Sequence, residues 1–216
     1  DQYDQLYADC LKWFQKGWCD YLTPQLYWPI KQEAQSYTKL LDWWAQQNTA
    51  NRHLWVGNYV SQVGSDNPNW SVQEIVDQIT ETRRRSAGGN IHFSMKAFSQ
   101  DFKGLVGALK SGAYRDKVLA PASPWLSSGS PAKPEVRKVQ WIDGKARLTF
   151  RPDEKARFFV VRAQGGPILS ISSANSPDLD LAVPRGATGS VQSISVATID
   201  KAGIASESVT VRLDVR

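Results

Sequence analysis

Hydrophobic positions change their period once along this chain. Up to about residue 119, apolar residues recur every three or four positions in stretches separated by short apolar runs. "YLTPQLYW" precedes "SYTKLLDWWAQQ", in which Tyr37, Leu40, Leu41 and Trp44 share a helical face. "HLWVGNYV" precedes "WSVQEIVDQITETRRR", with Val72, Ile75, Val76 and Ile79 on one face. "NIHFSMKAF" precedes "DFKGLVGALKSGAY", with Phe102, Leu105, Val106 and Leu109 on one face. Three strand–helix units of about 30 residues each predict parallel strands joined by right-handed crossovers. Ser71 and Glu74 match a capping box, Trp70 and Ile75 a hydrophobic staple, and Arg83, Arg84 and Arg85 close the middle helix against its dipole. Ahead of these units, Tyr3, Leu6, Tyr7, Cys10, Leu11 and Phe14 keep helical spacing. The chain is therefore expected to open inside or just before a helix, as a piece of something longer. It shows neither a methionine start nor a signal-peptide pattern there.

The rhythm breaks at "LAPASPWLSSGSPAKP", residues 119–134, whose Pro, Ser and Gly content reads as a linker, with Trp125 docked on a domain surface. After Pro134 the helical period vanishes and alternation takes over. Seven strands are expected near Val136–Trp141, Ala146–Phe150, Arg157–Ala163, Ile168–Ser172, Leu179–Val183, Val191–Thr198 and Ser208–Val215. Turns at Asp143–Gly144, Gly165–Gly166–Pro167, Pro184–Arg185–Gly186 and Lys201–Ala202–Gly203 separate them. This is the grammar of an immunoglobulin-like or fibronectin-type sandwich, and with no cysteine pair to bridge it the fibronectin version is expected.

Composition narrows the function classes. Of 216 residues, 41% are hydrophobic and 22% charged, the mix of a globular protein, and no run of about 18 apolar residues offers a membrane span. The net charge of +5 is scattered rather than gathered into a basic stripe interleaved with aromatics, which argues against nucleic acid. Two cysteines, Cys10 and Cys19, and two histidines lack metal-ligand spacing, so neither a metal nor another cofactor is expected. Two free, inert thiols are expected, a bridge being the alternative.

Candidate chemistry lies at the strand ends. If Leu22 and Leu26 face the helices, Thr23, Gln25 and Tyr27 face the other way. By the same parity Trp55, Gly57 and Tyr59 face inward against Leu54 and Val56, and His92, Ser94 and Lys96 against Ile91, Phe93 and Met95. Parallel sheets and barrels place their sites at these carboxyl ends. Tyr27, Trp28, Trp55 and Tyr59 offer flat apolar faces, while Gln25, Asn58 and Ser94 offer donors and acceptors, a mixture that suits a saccharide; core filling is the competing role for Trp55. Lys96 has three readings: an anchor for a substrate carboxylate, a Schiff-base nucleophile, or a partner in an internal ion pair. Glycoside hydrolysis usually uses two carboxylates, and none of the three strand ends carries one. Asp66 falls in the turn-like "SDNPN", and Asp101 is placed to cap the helix it precedes.

The segments "LYADCLKWFQKGWCDYLTPQLYWPI", "LLDWWAQQN", "RHLWVGNYVSQVG", "EIVDQITETRR" and "GGNIHFSMKAF" resemble the bacterial glycosyl hydrolase-like 10 family, over about Leu6 to Trp125. The resemblance implies the last three strand–helix units of a (β/α)8 barrel over residues 1–120, a linker over 121–134 and a fibronectin type III-like β-sandwich over 135–216. It implies an exported bacterial protein, periplasmic or associated with the cell envelope, acting on glycan and in some members on peptidoglycan strands. By the same analogy Gln25, Tyr27, Ser94 and Lys96 line the pocket. An acidic Asp-Asp motif upstream is expected to supply the catalytic carboxylates, so either an upstream segment completes the barrel or the piece is stabilised by association, and this segment alone is expected to be inactive. The competing functions are a non-catalytic carbohydrate-binding or cell-wall scaffold protein and, more remotely, a Schiff-base lyase built on Lys96.

Overall fold

A computed structural model describes residues 2–85, 87–127, 129–182 and 191–214. The chain divides into two compact units, Asp1–Arg115 and Asp116–Arg216.

In the first unit the helical opening is broken in two. Helices α1 (Gln2–Leu6) and α2 (Cys10–Gln15) are separated where Tyr7 turns to a φ of 52°. The Asp9 carboxylate accepts from the Lys12 N–H and starts α2 afresh. Tyr3, Leu6 and Tyr7, which keep helical spacing in the sequence, are 61%, 70% and 90% exposed; only Phe14 of that series is fully buried. Three parallel strands follow, β1 (Tyr21–Leu22), β2 (His53–Asn58) and β3 (Gly89–His92), in the spatial order β1-β2-β3. Helices α3 (Tyr37–Gln46) and α4 (Val72–Arg84) connect them, as the periodicity predicts. Pro24 leaves no N–H to donate, and beyond Leu22 the first strand continues only as an isolated bridge between Gln25 and Gly57. Two short helices, α5 (Met95–Ser99) and α6 (Leu105–Ser111), end the unit.

The apolar faces bury as their spacing dictates. Phe14, Leu26, Tyr37, Leu41, Leu54 and Val56 form one cluster. Trp70, Ile75, Ile79, Leu105 and Leu109 belong to a second, with Val72 and Val76 packed against it. Ser71 accepts from the Glu74 N–H at 3.0 Å, but the reciprocal half of a capping box is not made. Glu74 instead accepts from the Ile30 N–H and the Gln78 amide, both at 2.8 Å. Asp101 accepts from the Val106 N–H at 2.8 Å and so does cap α6, across a kink at residues 102–104. Arg85, at the end of α4, pairs with Asp42 of α3 and with Glu81. That contact and the one from Arg84 hold the Glu81 carboxyl below its ordinary range.

The second unit is two antiparallel sheets. Strands β4 (Val136–Ile142), β5 (Lys145–Phe150), β6 (Phe158–Ala163), β7 (Ile168–Ser173), β8 (Asp178–Leu181), β9 (Val191–Ile199) and β10 (Val209–Asp214) match the seven expected within one or two residues. They assemble as β4-β5-β8 and β10-β9-β6-β7. Alternate residues of both sheets, among them Leu148, Phe150, Phe159, Leu179, Ile194 and Leu213, meet in one cluster, and Trp141 packs against its edge. Asp143 and Gly144, the two-residue loop between β4 and β5, have φ of 49° and 74°, the paired positive values of a tight hairpin turn. The expected turn at Pro184–Arg185–Gly186, with Val183 and Val215, lies outside the described residues.

Residues 119–134 do not behave as a spacer. Leu119 packs against Val160, Ile168 and Ile199. The Ser123 N–H donates to the Ala202 carbonyl and the Ser127 hydroxyl to Asp200, both at 2.7 Å. The Thr198 hydroxyl donates to the Ala132 carbonyl, also at 2.7 Å. Pro, Ser and Gly prevent regular structure here, yet the backbone groups they free find partners along the sandwich. The stretch is a strap belonging to the second unit.

Candidate functional site

Strand parity decides which side chains reach a ligand, and β2 has the parity expected. Leu54 and Val56 are buried against the helices, and Trp55, Gly57 and Tyr59 take the opposite face. Asn58 shares the parity of Val56 and is fully buried behind the sheet. Its amide donates to Tyr37 Oη at 3.1 Å and Gln78 Oε1 at 2.9 Å, and its Oδ1 accepts from Asn90 at 2.7 Å. Tyr37 Oη also bonds Thr82 Oγ1 at 2.7 Å. Burial pushes the Tyr37 phenol up, against the lowering effect of its hydrogen bonds with Thr82, Asn58 and Asn90. Every polar atom of Asn58 is thus engaged between strands and helices, which removes it from the set of ligand contacts.

In β3 the parity is the reverse of that expected. The register pairs Gly57 with Ile91 and Asn58 with His92, so His92 follows Asn58 to the helix side. Its Nε2 lies 2.7 Å from Tyr114 Oη, its ring packs 5.5 Å from Phe98, and its Nδ1 is buried without a hydrogen bond. Burial lowers its pKa to about 4. Ile91 and Phe93, 41% and 53% exposed, take the open face instead. Apolar side chains occupy both faces of this strand, so hydrophobicity alone assigned them wrongly.

The open face gathers aromatic rings into two groups. Tyr27 stacks on Tyr59 with centroids 4.6 Å apart, and Phe93 lies 6.1 Å and 6.0 Å from the two. Trp70 closes edge-on against Tyr59 at 6.0 Å. Nearer the amino ends, Trp55 stacks between Tyr21 at 4.7 Å and His53 at 5.1 Å. Gly57 permits the first group: a Cβ there would stand 3.1 Å from the Pro24 carbonyl oxygen and 3.5 Å from the Tyr27 ring. Burial, and then the neighbouring Tyr59, push the Tyr27 phenol up.

Polar groups sit at the same end. The Ser61 N–H and hydroxyl both donate to the Phe93 carbonyl, at 3.0 Å and 3.2 Å. The Ser94 N–H donates to Ser61 Oγ at 2.9 Å, and the two hydroxyls are 3.3 Å apart. Lys96 is not a strand-end residue: β3 stops at His92, Ser94 opens α5, and Lys96 stands exposed in its first turn. Gln25 and Trp28 line a groove of about 390 Å³ beside β1, together with Thr23 and Trp44, whose walls include neither Tyr27 nor Tyr59. The Thr23 hydroxyl there is buried without a partner.

The structure therefore unites Tyr27 and Tyr59, brings Ser94 beside Phe93, sets Gln25 and Trp28 along another groove, and withdraws Asn58. Phe93 and Ser61 were missed in the sequence. The signal that would have found Phe93 is its alignment beyond the Gly57–Ile91 pair, a cross-strand fact invisible within one strand. Among the described residues no group of three or more His, Cys, Asp or Glu could hold a metal ion. Cys10 and Cys19 are unbridged, and burial raises the Cys19 thiol above its ordinary value.

Comparison with known proteins bears on what this surface serves. Over 142 residues, 63% of its length, the chain is 38% identical to the glycosyl hydrolase YngK of Bacillus subtilis (strain 168), and it covers 28% of that protein. It is 35% identical over 81 residues to the glycosyl hydrolase DigH of Escherichia coli (strain K12), matching 36% of this chain and 18% of DigH. The chain thus spans less than a third of these relatives. Among solved structures, the glycoside hydrolase domain of Endo-D from Streptococcus pneumoniae R6 aligns with a TM-score of 0.32 at 26% identity, over 41% of this chain and 16% of that one. Residues 1–74, about a third of the chain, match the model of the glycosyl hydrolase-like 10 family.

Proposed function

We propose that this chain is the carboxyl-terminal portion of a bacterial glycoside hydrolase, in which the first unit supplies sugar-binding surface and carboxylates upstream supply the chemistry. The observation that carries the reading is the stacked pair Tyr27–Tyr59, at the carboxyl end of parallel strands in the segment matching a glycosyl hydrolase-like family, with Phe93 of the next strand end beside it. Stacked rings present flat faces to the C–H side of a sugar, and Ser61 and Ser94 offer hydroxyls at the same rim. Three parallel strand–helix units fit the last part of a (β/α)8 barrel, and the 3+4 sheet order of the second unit fits a fibronectin type III-like domain. An upstream segment completing the sheet is a partner of this reading. So is export to the periplasm or cell envelope, where peptidoglycan strands are the favoured glycan.

A second reading, a non-catalytic glycan-binding or scaffold protein, draws on the rim itself: its polar groups are hydroxyls, with no carboxylate among Tyr27, Tyr59, Ser61, Phe93 and Ser94. The Schiff-base alternative loses its premise, because Lys96 is exposed on α5 rather than buried at a strand end. The test expresses this chain with its upstream coding sequence and incubates it with purified peptidoglycan and with neutral β-glucans. Release of new reducing ends supports the hydrolase, and Tyr59→Ala and Phe93→Ala should each lower kcat/KM about tenfold or more. Binding without release favours the scaffold, and neither binding nor release overturns both.

A further inference from the structure

A second surface suited to saccharide lies wholly within the sandwich unit. A groove of about 650 Å³ runs between the strap and the sheet edge, with Trp125 on one wall and Lys155, Arg157 and Lys201 around the other. Two anchors flank the indole. On one side the Ser123 N–H bonds the Ala202 carbonyl at 2.7 Å, and on the other the Ser127 hydroxyl bonds Asp200 at 2.7 Å. Between them, residues 124–126 form a single 3-10 turn. The backbone that carries the ring is therefore fixed before a ligand arrives, which lowers the ordering cost of binding. Gly203 makes the first anchor possible: its φ is +81°, and a Cβ there would stand 3.0 Å from Ala122 Cα.

Charge gives the groove its sign. Lys155, Arg157 and Lys201 are exposed, whereas Asp200 is 8% exposed and saturated. Its Oδ1 accepts from the N–H groups of Ala202 and Ile204 at 2.9 Å and 2.7 Å, and its Oδ2 from Ser127. Against the raising effect of burial, the bonds from Ser127, Ile204 and Ala202 hold the Asp200 carboxyl below its ordinary range, so it stays ionised, and with the exposed Glu154 it sets two carboxylates against three exposed cations, a positive balance. An indole face beside clustered cations recognises a flat apolar surface carrying anionic groups. We infer that this groove is a second glycan subsite, selective for saccharides bearing carboxylates, and that it works independently of the first unit's aromatic face. The choice of a saccharide over other anions rests on the glycan reading above.

The probe is a peptide-free oligosaccharide of alternating N-acetylglucosamine and N-acetylmuramic acid with free lactyl carboxylates, compared with its methyl ester. Titrated into the 216-residue chain, the acid should bind about tenfold tighter than the ester, and added salt should erase the difference. The combined variant Lys155→Gln/Arg157→Gln/Lys201→Gln should lose that preference while keeping the thermal transition of the parent. Trp125→Ala should weaken acid and ester alike by about tenfold, the scale of one lost aromatic–sugar contact. A triple variant that keeps the preference, a parent with no preference, or equal affinity for a single-stranded DNA oligomer of the same charge would each overturn the proposal. The two sites separate cleanly. An acid preference surviving in Phe93→Ala, when the protein with its upstream sequence cleaves no glycan, upholds this groove and sinks the hydrolase. Binding abolished by Phe93→Ala and untouched by Trp125→Ala, when the protein with its upstream sequence does cleave, sinks this groove and upholds the hydrolase.

Discussion

In the second unit, Leu148 and Phe150 of β5 face Phe159 of β6 and Leu213 of β10 across two sheets, and alternation sends the remaining side chains outward. In the first, Leu54 and Val56 of β2 are sealed beneath α3 and α4, while the opposite face carries Tyr21, Ile91 and Phe93 at 50%, 41% and 53% exposure. The units also treat polar groups differently. The sandwich buries Thr198 and Asp200, whose side chains bond the strap at the Ala132 carbonyl and the Ser127 hydroxyl, whereas Tyr37, Asn58, Gln78, Thr82 and Asn90 form a continuous hydrogen-bonded chain inside the layer of strands and helices. One unit spends its apolar residues on a closed core, and the other leaves them where a ligand or further chain could meet them.

The largest effects should come from the two interiors. Phe150 is 1% exposed and stacks on Phe159 at 4.5 Å, so Phe150→Ala should destabilise the sandwich by about 3–5 kcal/mol. Calorimetry should show the second unit's transition moving while the first unit's stays. If both move together, the units do not unfold independently. Asn58→Leu keeps the branched shape but removes the donor to Gln78 Oε1 and one acceptor of the Asn90 amide, at a cost of about 2–3 kcal/mol to the first unit. A neutral result by urea titration would show that the network is not what joins β2 and β3 to the helices.

The same contrast explains what could be read in advance. Sandwich strands such as β5 and β8 were legible because one face of each is buried, so period two states both the element and its direction. The strand–helix order of the first unit was equally plain, and so was the Ser71 cap. Parity failed at β3, where Ile91 and Phe93 are apolar but open and His92 is polar but turned to the helices. The assumption that apolar means helix-facing holds only when the other face is polar. Asn58 failed for the mirror reason: a buried amide looks like a binding residue until its partners, Tyr37 and Gln78, are seen. The 119–134 strap was misread because composition reports the lack of regular structure, not the lack of contacts.

His92 makes the polar interior of the first unit sensitive to acid. Its folded pKa of about 4 lies below the ordinary 6.5, so protonation favours the unfolded chain. The stability is complete above about pH 6.5, falls as pH drops toward 4, and levels off once the folded form also takes the proton. A loss on the order of 3 kcal/mol is expected across that window. His92→Gln, which can still bond Tyr114, should flatten it, and an unchanged slope would assign the acid sensitivity elsewhere. Ser71→Ala comes next in size, at about 1 kcal/mol, because one first-turn N–H of α4 loses its acceptor. Hydrogen exchange at Glu74 would report it locally.

The sharpest version of the comparison uses one chemical change twice. Phe93→Ala removes the same ring as Phe150→Ala, yet Phe93 is 53% exposed and touches its neighbours only at 6.0 Å and 6.1 Å between centroids. Its loss should cost the first unit less than about 1 kcal/mol, because little apolar area leaves water when it folds. A ring retained at so small a stabilising value is available for contact with something outside the fold. Should Phe93→Ala instead destabilise as strongly as Phe150→Ala, the open face would be a core like the other, and the aromatic surface would have no claim on sugar.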